Sequence, residues 1–177
     1  MYYNRRMNKH NLGQKLTYGG FGDIYEGNIS GKACIFKVIR DNTTAISRIK
    51  REVLVMKELQ GHPSIGALYG VYRMVENRCL VYALEPLPYP SIAGLPKGVT
   101  IKEYRVYLLQ VLEVLDYIHS KGIMHMDVLA QNILVDAEKQ RAHLIDFGLS
   151  QFYVPGKRHH TYIYAVPVCI YTCISWA

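Results

Sequence analysis

Residues 24–29 alternate apolar and polar positions, and residues 32–39 follow as a run rich in β-branched and aromatic side chains. The two patterns predict a pair of strands, and Ser30-Gly31 between them supplies a hairpin turn. Upstream, residues 14–17 lead into a glycine-rich turn, Gly19-Gly20-Phe21-Gly22. At about residue 44 the period changes. Ile46, Ile49, Val53, Met56 and Leu59 recur at helical spacing and predict an amphipathic helix to residue 59, ended by Gly61-His62-Pro63. Residues 68–73 and 78–84 then predict a second hairpin, turning at Glu76-Asn77.

The second half is organised differently. Residues 85–98 hold four of the seven prolines and two glycines, the composition of a linker. A helix is predicted over residues 101–121, with Tyr104, Leu108, Val111, Leu112, Leu115 and Ile118 as its apolar face and Gly122 as its stop. Residues 133–135 and 142–145 predict a short hairpin. Residues 162–177 are apolar, aromatic and β-branched with Pro167 among them. That stretch falls short of the ~20 residues a spanning helix needs and reads as an exposed, strand-like tail, with no membrane anchor expected. There is no internal repeat.

Composition narrows the classes. A chain of 177 residues, half apolar and one fifth charged, can bury a real core and is ordinary for a globular protein. The net charge of +7 suits solubility, or an acidic peptide or nucleotide ligand. The basic residues are scattered (Arg5, Arg6 and Lys9; Arg48, Lys50 and Arg51; Lys157 and Arg158) without aromatic interleaving, so no nucleic-acid partner is expected. Of the four cysteines only Cys169 and Cys173 are close, and with His159 and His160 they do not make zinc-finger spacing. Reduced thiols and a cytoplasmic or nuclear location are the expectation, and the polar start Met1-Tyr2-Tyr3-Asn4-Arg5-Arg6 carries no apolar signal core.

Candidate chemistry lies along the chain in a fixed order. Glycines at 19, 20 and 22 allow backbone N–H groups to approach phosphate oxygens. Lys37 stands on the second predicted strand and Glu52 on the following helix, where a carboxylate can hold the ammonium extended and charged. Asp127 is placed to accept a hydroxyl proton, and Asn132 and Asp146 offer hard oxygen donors of the kind magnesium prefers. Singly, each of these is common. A tight turn, a solvated lysine and a surface glutamate would explain the first three. The order of all of them, with the right elements between, is far more specific.

That order carries a resemblance. His125-Met126-Asp127-Val128-Leu129-Ala130-Gln131-Asn132 followed by Asp146-Phe147-Gly148 resembles the catalytic loop and metal-binding Asp-Phe-Gly of eukaryotic protein kinases. Residues 14–157 share the likeness, and within that family the chain is most similar to the casein kinase II catalytic subunit. The runs carrying it are Arg48-Ile49-Lys50-Arg51-Glu52-Val53, residues 115–125, and residues 144–157 with their Phe152-Tyr153-Val154-Pro155-Gly156-Lys157. The resemblance implies an α+β fold of protein-kinase type: an antiparallel N-lobe sheet with one helix, plus an incomplete helical C-lobe. The corresponding segments are an arm at 1–13, the N-lobe at 14–84, a hinge at 85–98, a partial C-lobe at 99–157 and a divergent tail at 158–177.

It further implies transfer of the ATP γ-phosphate to protein serine or threonine. Asp127, Lys37 and Glu52 would be catalytic, and Asn132 and Asp146 would hold Mg2+. ATP would be bound by Gly19, Gly20, Phe21, Gly22, Ile24, Lys37, Ala83, Leu84 and Glu85, with Tyr82 as gatekeeper. A protein substrate rich in acid and a regulatory subunit are the implied partners. The chain departs from the family pattern at several points. Thr17 replaces the first glycine, Met126 the loop arginine and Leu129 the loop lysine. The motifs stop after residue 157, with no Ala-Pro-Glu or Gly-Pro-Glu, as in a truncated domain. The alternative reading is therefore a pseudokinase, a nucleotide-binding or interaction module without useful transfer.

Overall fold

The computed structural model describes residues 5–18, 22–39 and 46–154. Gly19, Gly20 and Phe21, the first two residues of the helix predicted from residue 44, and the tail at 158–177 lie outside the described residues. Two compact units are formed, Met1–Val53 with Gly66–Pro86, and Leu54–Ile65 with the chain from Leu87.

The first unit is built on a six-stranded sheet. Its strands are β1 (Arg6–Met7), β2 (Lys15–Tyr18), β3 (Gly22–Ile29), β4 (Lys32–Ile39), then, after helix α1 (Ile46–Glu58), β5 (Leu68–Met74) and β6 (Leu80–Leu84). Their order across the sheet is β1-β5-β6-β4-β3-β2. The β3–β4 turn has φ of +52° at Ser30 and +84° at Gly31. Both central residues are left-handed, as the twist of a two-residue hairpin requires, and Asn28 Oδ1 accepts the Gly31 N–H at 2.8 Å. The sheet is antiparallel except at one edge. β1, within the arm expected at 1–13, pairs parallel to β5 with Arg6 opposite Arg73. A two-residue strand is too short to show a period, so no pattern announces it. It is held by packing: Met7 is buried with Cys34, Phe36, Met74, Val81 and Ala83.

α1 forms where the spacing placed it. Ile49, Val53, Met56 and Leu59 are all buried, and Val55, off the predicted stripe, is buried with them. Ile49 and Val53 pack with Ile39, Val71 and Tyr82 in the first unit. The last turns of the helix belong to the second unit.

The second unit is organised by α2 (Ile101–Ser120), with β7 (Ile123–Met124), the hairpin β8 (Ile133–Asp136) and β9 (Arg141–Leu144), and β10 (Gln151–Phe152), which pairs with β7. α2 opens on a capping box. Thr100 Oγ1 accepts the Glu103 N–H at 3.3 Å, and the Thr100 N–H donates to Glu103 Oε2 at 2.7 Å. Two of the four orphan donors of the first turn are thereby satisfied reciprocally. Gln110 holds the hairpin, its amide donating to the Gln140 carbonyl at 2.8 Å and accepting the Ala142 N–H at 2.9 Å. The proline-rich stretch is docked over part of its length. Pro90 O accepts the Val135 N–H at 2.9 Å, and Ile92 is buried.

One expectation about α2 fails. Val111 and Ile118 of the predicted face are buried, but Tyr107 and Val114 complete the core stripe, and Leu112 is 55% exposed. The helix carries apolar residues on two stripes, and periodicity alone cannot say which one the β8–β9 hairpin covers. Among the described residues no helix is long and apolar enough to cross a membrane.

A Cβ at Gly27 would overlap the Phe36 ring, which is itself buried in the sheet core. Gly27→Ala should therefore cost about 2 kcal/mol, measured by urea unfolding. Phe36→Leu should cost less in the Gly27→Ala background than alone. Equal costs in the two backgrounds would show that the ring moves aside freely.

Candidate active site

In the first unit the sheet presents Lys37 from β4, with Ile24 of β3 and Tyr82 of β6 as its cross-strand neighbours. Glu52, from α1, meets it: Lys37 Nζ and Glu52 Oε1 stand 2.9 Å apart. The residues are only 8% and 4% exposed, so the pair is desolvated. Each charge needs the other, because an isolated ammonium or carboxylate at that depth is costly. The helix that supplies Glu52 is tied to the sheet by a hydrogen bond from the Tyr82 hydroxyl to the Ile49 carbonyl, 3.2 Å long.

Gly22 opens β3, where a Cβ would stand 2.5 Å from the Val38 carbonyl oxygen. Glycine is thus required by the close approach of β3 and β4. Ala83 and Leu84 lie in β6, between β4 and β5. Glu85 departs from expectation. Its N–H donates to the Ala67 carbonyl at 2.8 Å, and its carboxylate accepts the Ala67 N–H at 2.9 Å. The continuation of the β5–β6 pairing has claimed that amide, which leaves it no hydrogen to offer adenine.

In the second unit the loop from His125 to Asn132 and the segment around Asp146 are held by one side chain. The His125 ring is 1% exposed. Its Nε2 lies 3.1 Å from the Ile145 carbonyl, its Nδ1 accepts the Asp127 N–H at 3.2 Å, and its own carbonyl accepts the Ser150 hydroxyl at 3.1 Å. Nδ1 acts as acceptor, so the proton is on Nε2 and the ring is neutral. The Phe147 ring stands edge-on to it at 4.8 Å. Burial pushes the His125 pKa down from 6.5 to about 4, against the Ile145 carbonyl and the Asp146 carboxylate, which both pull it up.

Asp127 and Asn132 are brought together. Asn132 Nδ2 donates to Asp127 Oδ2 at 2.8 Å and to the Asp127 carbonyl at 2.9 Å. Both amide hydrogens are used in this way, so Oδ1 of Asn132 is the end of the group that can act as a ligand. The Asn132 carbonyl accepts the Ile145 N–H at 2.9 Å, which places Asn132 beside the residue preceding Asp146. Asp146 Oδ1 accepts the Gly148 N–H at 3.2 Å. Met126 and Asp146 have φ of +67° and +61°. Such left-handed backbone costs a non-glycine residue about 1 kcal/mol, and it concentrates where function holds it in place.

Among the described residues no group of three His, Cys, Asp or Glu side chains forms a metal site by itself. Asn132 and Asp146 present an amide oxygen and a carboxylate, two hard donors that suit Mg2+ when phosphate and water complete its shell. Residue patterns assigned no role to His125, to the Ser150 hydroxyl or to the Tyr82–Ile49 bond. The histidine stands in the quoted motif, but its burial and its three partners are tertiary facts.

Two outcomes follow. The unfolded chain takes up a proton on His125 near pH 6.5 and the folded chain only near 4, so stability is lost as pH falls through that window, by at most about 3 kcal/mol. Urea midpoints measured from pH 7 to 4 should show this slope, and His125→Gln should flatten it while lowering the midpoint at pH 7. Lys37→Met should destabilise the fold by about 3 kcal/mol through the stranded Glu52, and Lys37→Met/Glu52→Leu should recover most of it. A double variant no better than the single one would count against a stranded charge.

The geometry can be set beside known proteins. The family model described as "Protein kinase domain" matches residues 10–170, running past the point at which the motifs stop. Casein kinase II subunit alpha' of Saccharomyces cerevisiae is 28% identical over 153 residues, covering 85% of this chain and 44% of the relative. The chain thus spans less than half the length of the relative it matches. With its α+β sheet unit, its Lys37–Glu52 pair and its Asp127–Asn132 loop, the chain belongs to the protein kinase family.

Proposed function

We propose that the chain is a serine/threonine protein kinase of casein kinase II type, binding Mg·ATP and transferring a phosphoryl group at a rate limited by its own catalytic loop. The observation that carries this reading is the Asp127 carboxylate held at 2.8 Å by Asn132, on a loop pinned by a buried neutral histidine. A carboxylate fixed in this way can orient a substrate hydroxyl and accept its proton. Lys37, kept charged and extended by Glu52, offers its ammonium to phosphate oxygens. Asn132 and Asp146 offer oxygens to the metal. Magnesium, when bound, supplies charge neutralisation on the phosphates. Gly22 and Ile24, with Gly19, Gly20 and Phe21, are assigned to the nucleotide, as are Ala83 and Leu84. Glu85 is assigned there without its N–H, which Ala67 holds.

A second reading has its own support. Leu129 stands where kinases of this type carry a lysine, and its amide and carbonyl are both used in holding the loop, at 3.0 and 2.9 Å. The loop shape survives without the charge. Losing one preorganised charge contact slows transfer by about 10²–10³. The pseudokinase reading is the limit of that effect. The resemblance to casein kinase II also supports an acidic protein substrate, a regulatory partner, and residence in the cytoplasm or nucleus.

Thermal unfolding with and without Mg·ATP separates the readings. Saturation at a hundred times Kd should stabilise the chain by about 2.7 kcal/mol, and Asp146→Asn should abolish the shift. Leu129→Lys should then raise the rate of peptide phosphorylation by about 10². A nucleotide shift with no gain from Leu129→Lys favours the pseudokinase. No shift at all defeats both readings.

A further inference from the structure

The outward stripe of α2 serves none of the roles described above. Val106, Leu109 and Leu112 are 40%, 51% and 55% exposed, and their three-residue spacing sets them on one face. Lys102 and Arg105 flank them toward the start of the helix, and Glu113 and Asp116 toward its end, all four exposed. None of the four makes an ion pair among the described residues. Base before acid is the reverse of what the helix dipole favours, so the dipole gives no reason for this arrangement.

A symmetry does give one. Val106 and Leu112 lie three positions either side of Leu109, Arg105 and Glu113 four, and Lys102 and Asp116 seven. An antiparallel second copy of the helix, crossing at Leu109, sets Leu109 against Leu109. It also sets Val106 against Leu112, Arg105 against Glu113 and Lys102 against Asp116, each contact made twice. That is the condition for a closed two-fold interface. Lys102 and Asp116 each lie seven residues from Leu109, the repeat that keeps one seam facing a partner helix.

We infer that the outer face of α2 is a self-complementary surface through which two copies of this chain pair antiparallel about Leu109. Apolar contact at the centre supplies the association, and the flanking charges select the antiparallel sense. A parallel partner would bring lysine against lysine and aspartate against aspartate.

The test is sedimentation equilibrium of the full chain over a range of concentrations, at low and high salt. A discrete monomer–dimer equilibrium, weakened by salt, is expected. Arg105→Glu should weaken it by about tenfold or more, because it opposes Glu113 twice. Arg105→Glu/Glu113→Arg should restore it, since exchanging both signs recovers both pairs. Leu109→Cys should give a disulfide-linked dimer under mild oxidation, beyond any formed by the unaltered chain with its own cysteines. Circular dichroism checks that each variant keeps its helix content, and if Arg105→Glu loses it, the Leu109→Cys cross-link decides. A chain that stays monomeric, an open-ended aggregate, or a dimer indifferent to a folded Arg105→Glu overturns the inference. So does a double reversal that folds but fails to restore pairing, or a Leu109→Cys variant that does not cross-link.

Discussion

A neutral imidazole in a dry position is the constraint on which the second unit depends. His125 receives the Asp127 amide on one nitrogen and donates to the Ile145 carbonyl from the other, so both segments that carry candidate carboxylates hang from one ring. A cationic ring would stabilise two nearby acids electrostatically, yet it could not accept the Asp127 N–H. Burial decides the contest in favour of the neutral form. The loop is thus positioned by hydrogen bonds of fixed direction. The left-handed backbone at Met126 and Asp146 makes sense beside this ring. Each residue adjoins a group that the histidine holds, and the hydrogen bonds offset the local cost.

In the first unit the governing term is different. Lys37 and Glu52 are both nearly inaccessible, and a buried pair of this kind adds little net stability. Its value is positional, because the pair is costly to break by halves. The apolar stripe of α1 locates the helix; the ion pair and the Tyr82–Ile49 hydrogen bond set its register against β4 and β6.

Much of this could be read in the residues before any coordinates. The β3–β4 hairpin follows from alternation broken by Ser-Gly, and α1 from five apolar residues at one spacing. The Asp127, Asn132 and Asp146 constellation follows from motif order. What the sequence concealed has common physical causes. β1 is too short for a period and exists because Met7 finds a pocket in the sheet. α2 has two apolar stripes, and the choice between them rests with a hairpin folded from residues further along the chain. The Glu85 amide is lost to Ala67 because the β5–β6 pairing runs on past Leu68 and Leu84, which no local rule foretells. Tertiary partners, unlike periods, leave no mark on the segment they constrain.

The hydroxyl of Tyr82 has a wider consequence. A phenylalanine would fill the same space, since the ring is 0% exposed, and the oxygen adds a bond to Ile49. That bond latches the helix bearing Glu52 onto the strand next to Lys37. Kinase regulation in general can work by swinging this helix in and out, so that only a fraction of molecules are competent at any moment and apparent affinity falls by that fraction. A chain latched in this way favours the arrangement with Glu52 beside Lys37, and that fraction rises.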